Sequence, residues 1–285
     1  MTTIIERIEQ HFESLSPGQK SVAHYIQTHV KEVALQSAQQ IAANSGVSEA
    51  TVHRLAVALS YSGYSVMRKD LQKFVLKEQH TVKSDVRLAI YQDNTWLEKH
   101  FEQEIENIRQ TMSNTDKAQI ESAAQMLLGA KRIWVVGWRL GLSVTAFLAY
   151  VLRYMLGNSE LIPQGGVAEY VSYIEPDDVI FASGFPRYCP RTLKVIRIAR
   201  ERGAKVIAIT DSSLSPFAKL SDLVLLGSCK SEGLLESYTA SLSVVNAIIN
   251  EIAYLDKGRI QHNIEKMDIS LREFRDRFDW TDRAD

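Results

Sequence analysis

The stretch Ser37–Leu59, SAQQIAANSGVSEATVHRLAVAL, decides the fold of the N-terminal part of the chain. Ser37 and Gln40 have the spacing of a capping box, in which each side chain accepts from the other residue's backbone amide at a helix start. Ala42 stands where two helices must approach closely, so a small side chain is needed. Gly46 follows four residues later, where the turn between the helices calls for a left-handed backbone. Ser48 is placed to cap a second helix, and Ile41, Val47, Val52 and Leu55 supply the buried side of the pair. A plain helical hairpin would need only the glycine. The joint register of cap, small residue, turn and apolar face predicts a helix-turn-helix.

Such a motif sets the N-terminal end of its second helix in the major groove of DNA. The outward positions there are Glu49, Ala50, Thr51, His53 and Arg54, with Ser48 at the helix start. Arg54 suits guanine or phosphate, Thr51 a phosphate or a thymine methyl, and His53 either kind of group. Glu49 either favours the helix dipole or accepts from cytosine N4. Downstream, Arg68, Lys69, Lys73 and Lys77 fall on neighbouring helical positions, and Arg54–Arg87 holds seven bases against three acids. Arg68, Lys69 and Lys73 are therefore expected near DNA, although a solvated helix face accounts for any single lysine equally well. The formal net charge of the whole chain is −1, so binding has to rest on this local basic face.

Outward from the motif, apolar residues keep helical spacing through the first 130 residues: Ile4, Ile8 and Phe12, then Val22, Ile26 and Val30. Ser16-Pro17 reads as a helix start. After residue 130 the texture changes. Apolar runs at 132–136, 179–182, 205–209 and 223–226 alternate with helical stretches at 142–156, 192–202 and 234–255, with Leu161-Ile162 as one more short strand. Continuous apolar strands separated by helices imply a parallel sheet covered on both faces. The expected organisation is a helical DNA-binding domain over 1–80, a helical connector over 81–115, and an α/β domain over 116–285. Within the connecting region 96–112 reads as a charged amphipathic helix, and the charged tail 268–285 as an exposed helix or frayed end.

A chain of 285 residues with 45% hydrophobic and 24% charged residues suits two soluble globular domains. Its two cysteines, Cys189 and Cys229, form neither a disulfide framework nor a metal-ligand set. The N-terminus lacks an apolar signal core, and the apolar stretches are broken short of a membrane-spanning length of about 20 residues. A cytoplasmic protein without membrane contact is expected.

In the α/β half the first strand runs into Val135–Ser143, VVGWRLGLS, and a helix. That is the crevice where open parallel sheets bind anionic ligands. It is not a dinucleotide fingerprint, because Arg139 fills the position where a second glycine admits the pyrophosphate, so no cofactor is expected. The run Phe181–Thr192, FASGFPRYCPRT, places Arg187, Tyr188 and Arg191 in a second loop at the same end of the sheet. With Arg139 they suggest a cationic pocket for a carboxylate or phosphate. Trp138 and Gly141 belong to its first loop, and Glu236 and Ser237, just before the last long helix, are placed to close it.

The segments LSPGQKSVAHYI (15–26), SGVSEATVHR (45–54) and ERGAKVIAITDSSLSPFAKLSDLVL (201–225) resemble the RpiR/MurR family of transcriptional regulators, with an N-terminal helix-turn-helix and a C-terminal sugar isomerase (SIS) domain. The resemblance implies a helical N-terminal bundle joined to an α/β domain with a five-stranded parallel sheet flanked by helices. It also implies dimerisation or higher homo-oligomers through the SIS domains, a double-stranded DNA operator, and a phosphosugar-like effector. Two loops depart from the family pattern. Arg139 stands for the second glycine of G-x-G-x-S and Gly141 for its serine. The S-x-S-G-x-T loop falls on Gly184–Cys189, which lacks hydroxyls at the expected positions, while Ser183-Gly184 comes too early in that register. The loops match a subset of the family with G-x-R and R-Y sequences, where a sugar phosphate and a small carboxylate both remain open as ligands.

The rival class is a sugar-phosphate isomerase fused to a helical domain. Proton shuttling needs a positioned Glu or His, yet all seven histidines lie outside 131–255. Glu169, Glu175, Glu232 and Glu236 remain as carboxylates. With no nucleophile elbow, P-loop or metal-ligand spacing, no catalytic residue is assigned, and a regulator is expected rather than an enzyme.

Overall fold

The structure is a computed structural model that describes residues 4–80, 94–231, 233 and 235–274. The chain divides into two compact units, Met1–Val82 and Lys83–Asp285. The first is helical: α1 (Ile4–His11), α2 (Pro17–Thr28), α3 (Val30–Val33), α4 (Ala38–Asn44), α5 (Glu49–Ala58) and α6 (Tyr64–His80). Ser16 and Gln19 box the start of α2, which carries Pro17 in its first turn. At His29 the backbone leaves the helical region, so Val30 opens the short α3 instead of extending the Val22/Ile26 stripe. Ile4, Ile8, Val22, Ile26, Ile41, Val52, Leu55, Leu59 and Met67 have no exposed surface. Each contributes about 1.5–3 kcal/mol relative to an exposed side chain. Their spacing along each helix is what draws α5 onto α2 and α4, and α6 onto α1 and α5.

The second unit runs α7 (Trp96–Asn114), α8 (Lys117–Gly129), β1 (Ile133–Val136), α9 (Leu142–Leu156), β2 (Ser159–Leu161), α10 (Val167–Ser172), β3 (Val179–Gly184), α11 (Pro190–Glu201), β4 (Lys205–Thr210), β5 (Leu223–Leu226), α12 (Thr239–Leu255) and α13 (Lys257–Glu273). The five strands form one parallel sheet in the order β2-β1-β3-β4-β5. Side chains alternate between its two faces, and both faces are apolar. Ile133, Val135, Val179, Phe181, Ile207 and Ile209 meet α8, α9 and α12 on one side. Trp134, Val136, Ile180, Ala182, Val206 and Ala208 meet α10 and α11 on the other. That is why the strands read as unbroken hydrophobic runs.

Four expectations shift. The second strand is Ser159–Leu161 rather than Leu161-Ile162, and α12 begins at Thr239, leaving residues 235–238 as a loop. Arg139–Leu156 is, among the described residues, a stretch long and apolar enough to cross a membrane; here α9 packs against the sheet and α13. Helix α7, expected in a separate connector, packs against α12. It does so with Asn107 and Thr111 buried, while Phe101, Ile105, Ile108 and Met112 are exposed. Residues 81–93 of the expected connector and 275–285 of the tail lie outside the described residues, as do Lys83 and Arg87.

Candidate functional site

The helix-turn-helix forms as spaced. Ser37 Oγ accepts from Gln40 N at 3.2 Å while Gln40 Oε1 accepts from Ser37 N at 2.8 Å. Gly46 takes φ +66°, and the amide of Val47 donates to the Ala42 carbonyl at 2.9 Å, closing α4. Beyond the turn, Ser48, Glu49, Ala50, His53 and Arg54 are exposed at the start of α5. His53 stands 3.6 Å from Glu49 and lies edge-on to Tyr64.

Two expected contacts are engaged by neighbours within the unit. Thr51 is buried: its hydroxyl bonds Ser48 Oγ and Arg54 Nη2, and its methyl lies 3.3 Å from where a side chain on Gly18 would begin. Ser48 therefore caps α5 by its backbone position, its hydroxyl being engaged with Thr51. Arg68 donates to the carbonyls of Ala34 and Leu35, tying α6 to the end of α3, which is a structural duty. Lys69 and Lys73 stay exposed.

In the α/β unit the strand order reverses between β1 and β3, since the chain passes from β1 to β2 on one side and then crosses to β3 on the other. The loops leaving these two strands border a cavity of about 250 Å³ at the carboxyl ends of the sheet, the place where open α/β sheets take ligands. The first loop supplies Trp138, Arg139, Leu140 and Gly141; β3 and its loop supply Ser183 through Arg187 and Cys189; Leu235 and Tyr238 close the wall. Gly141 fits only because it has no side chain: a Cβ there would stand 2.9 Å from the Ser183 carbonyl.

Arg139 (φ +57°) and Arg187 (φ +66°) both hold a left-handed backbone, one that costs a non-glycine residue roughly 1–2 kcal/mol. Arg139 Nη1 donates to the Arg187 carbonyl at 3.2 Å, linking the loops. Arg187 Nη2 lies 2.8 Å from Glu236 Oε2. Trp138 donates its ring N–H to the Ile162 carbonyl at 3.0 Å, and Arg191 lies over its ring and donates to the Gln164 carbonyl. Two buried hydroxyls of the lining, Ser183 Oγ and Tyr238 Oη, have no hydrogen-bond partner among the described residues. Burial and the Glu236 charge push the Tyr238 phenol well above its ordinary range. Burial works against ionisation of the Cys189 thiol, but the amides of Thr192 and Arg191 at the start of α11 and the Arg139 charge outweigh it, drawing the thiol below its usual value.

Two family models match consecutive stretches of the chain: the helix-turn-helix domain of the rpiR family over residues 2–78, and the SIS domain over residues 126–251. The chain belongs to the RpiR family. It is a transcriptional regulator with a helix-turn-helix and a SIS domain. An uncharacterized HTH-type transcriptional regulator of Clostridium perfringens is 25% identical over 271 residues, spanning 92% of this chain and 95% of the relative. The sugar isomerase domain of an RpiR transcription factor from Sphaerobacter thermophilus is 28% identical, with a TM-score of 0.59, over 61% of this chain and 99% of that one. The Vibrio vulnificus NanR protein, complexed with ManNAc-6P, shares the fold at 20% identity and a TM-score of 0.57, over 95% and 98% of the two chains.

Of the residues expected at this RpiR pocket, Trp138, Arg139, Gly141 and Arg187 line one cavity, and Glu236 joins through Arg187. Tyr188 does not line it. Its hydroxyl donates to Asp211 Oδ1 at 2.7 Å, beside Phe217, and burial together with the Asp211 charge raises its titration far above the ordinary range. Ser237 is buried and donates to Glu104 on α7 at 2.5 Å. Arg191 is turned outward over Trp138. The carboxylates weighed for catalysis are dispersed: Glu175 pairs with Lys131, Glu169 stands at the start of α10, and Glu232 lies outside the described residues. The sequence offers Ser183 only as part of an out-of-register match to the loop motif and gives no signal for Tyr238. The expectation that this loop had lost its hydroxyls needs correcting, because Ser183, ahead of the family register, belongs to the lining, with its Oγ itself buried.

Proposed function

We propose that this regulator binds an operator through the exposed start of α5 and releases or grips it according to a small anionic metabolite held in the SIS pocket. The observation that carries the reading is the pair of left-handed arginines at the point where the strand order reverses. Strain held in loops around a cavity is a mark of function. Guanidinium groups there suit a phosphate or carboxylate, and the unpartnered Ser183 and Tyr238 hydroxyls suit a polyol or sugar body. The complex of the related NanR with ManNAc-6P favours a sugar phosphate within that class. Ser48, Glu49, His53, Arg54, Lys69 and Lys73 face the DNA in this reading, and a homodimer in the cytoplasm would present two copies of α5 to successive half-sites. Ligand control requires that the metabolite bind one arrangement of the protein more tightly than the other.

The deciding experiment measures affinity for DNA from upstream of the protein's own gene, by fluorescence anisotropy, against sugar phosphates and small carboxylates. One anion is expected to shift operator affinity in the wild type and not in Arg139→Ala. Unchanged operator affinity with an anion that nevertheless binds the protein would overturn the control mechanism.

A further inference from the structure

We infer that Glu236 is a built-in occupant of the pocket's anion position, and that an incoming phosphate or carboxylate displaces it from Arg187 and so loosens the β5–α12 loop from α7. This rests on the effector reading of the pocket and adds how the pocket is wired. The Glu236 side chain is 8% exposed and its Oε2 lies 2.8 Å from Arg187 Nη2. A carboxylate taken that far out of water is tolerable only while it stays paired. Arg187 is fixed in turn by its left-handed backbone and by Arg139 on its carbonyl. The chain thus supplies, from its own sequence, the kind of group that the arginine loops are suited to hold.

The loop carrying Glu236 is fastened at both ends to one face of α7. Next to Glu236, Ser237 Oγ donates to Glu104 Oε2 at 2.5 Å. At the other end, Ser228 N donates to Thr111 Oγ1 at 2.8 Å, Ser228 Oγ to Asn107 Oδ1 at 2.9 Å, and Asn107 Nδ2 to the Lys230 carbonyl at 2.7 Å. Glu104, Asn107 and Thr111 are spaced three and four residues apart, a single helical face. This polar seam joins α7 to the loop, while Phe101, Ile105, Ile108 and Met112 are exposed. Hydrogen bonds of this kind can be exchanged for bonds to water at modest net cost, so the seam can part without exposing apolar surface. In sequence, α7 is the first described helix after the helix-turn-helix unit. An anion that replaces Glu236 on Arg187 frees the residue beside Ser237, and the displacement passes to Glu104.

The test uses the full-length chain and two probes, inorganic phosphate and acetate, titrated by calorimetry into wild type, Glu236→Gln and Arg187→Met, with amide hydrogen exchange followed over 104–111. Glu236→Gln keeps the side chain's size, and near-ultraviolet circular dichroism confirms its fold. The expected result is at least tenfold tighter binding of one probe by Glu236→Gln than by wild type, none by Arg187→Met, and faster exchange in 104–111 of the wild type when that probe is bound. Equal affinity in wild type and Glu236→Gln overturns the internal occupant and leaves the pocket an anion site. Tighter binding with unaltered exchange overturns the coupling to α7. Binding of neither probe to any of the three overturns both this inference and the effector reading.

Discussion

Arg139 and Arg187 adopt backbone conformations that glycine would adopt more cheaply, and both point to selection for the guanidinium rather than for stability. Arg139→Gly relieves left-handed strain but adds freedom to the unfolded chain and removes the bond to the Arg187 carbonyl. Thermal unfolding should therefore place this variant within about 1 kcal/mol of wild type, while its affinity for an anionic ligand falls at least tenfold. A large loss of stability would show that Arg139 is structural. Asp211 makes a second case. Burial raises its carboxyl above the ordinary range; the Tyr188 hydrogen bond pulls the other way, and the nearby Glu236 charge reinforces the rise. A raised folded value means that the ionised form costs stability above it, and that the cost disappears once pH falls below the ordinary carboxyl value. Asp211→Asn, which can still accept from Tyr188, is expected to melt higher than wild type at pH 8, with the gap closing toward pH 4. A gap that widens on acidification would contradict the burial argument.

At the scale of elements, glycine placement fixes how closely loops and strands approach. A Cβ on Gly184 would lie 2.2 Å from the Phe217 ring, a fully buried side chain. Gly184→Ala is therefore expected to cost on the order of 1–3 kcal/mol in urea unfolding, with a changed pocket wall. Period and capping made most of the elements legible beforehand: the helix start at Ser16-Pro17, the box at Ser37, the turn at Gly46, and the four longer strands. Short-range signals did not reveal which polar side chain a tertiary neighbour would claim. Thr51 looked outward by position, but packing against Gly18 turned it in. Arg68 looked like a basic face, but two carbonyls at the end of α3 claimed it. Tyr188 and Ser237 were drawn from the pocket by Asp211 and Glu104, residues 23 and 133 positions away in sequence. The pocket's position was legible because it follows from strand order; its hydroxyls were not, because Ser183 stands outside the motif register and Tyr238 is brought to the lining from a loop about 50 residues away.

For the whole molecule, the net charge of −1 leaves recognition of DNA to a local face, so the response to salt is diagnostic. Arg54→Ala should weaken operator binding by about 1–3 kcal/mol if Arg54 reads a guanine. If it contacts phosphate instead, the loss is uniform across sequences and the logarithmic salt slope drops by about one. Gel shifts at several salt concentrations separate these outcomes, and unaltered affinity would remove Arg54 from the interface.

Cys189 gives the pocket a chemical voice. Both thiols are buried, but Cys189 borders the cavity, where the start of α11 and the Arg139 charge draw it below its usual value, whereas Cys229 lies outside the lining. Iodoacetamide should modify Cys189 ahead of Cys229, and a bound metabolite should slow it, as peptide mass spectrometry over time would show. Equal rates with and without a ligand known to bind would place that ligand elsewhere. Occupancy then becomes a reaction clock that needs neither the operator nor a transcriptional readout, so metabolite mixtures can be sorted by how well they shield one sulfur atom.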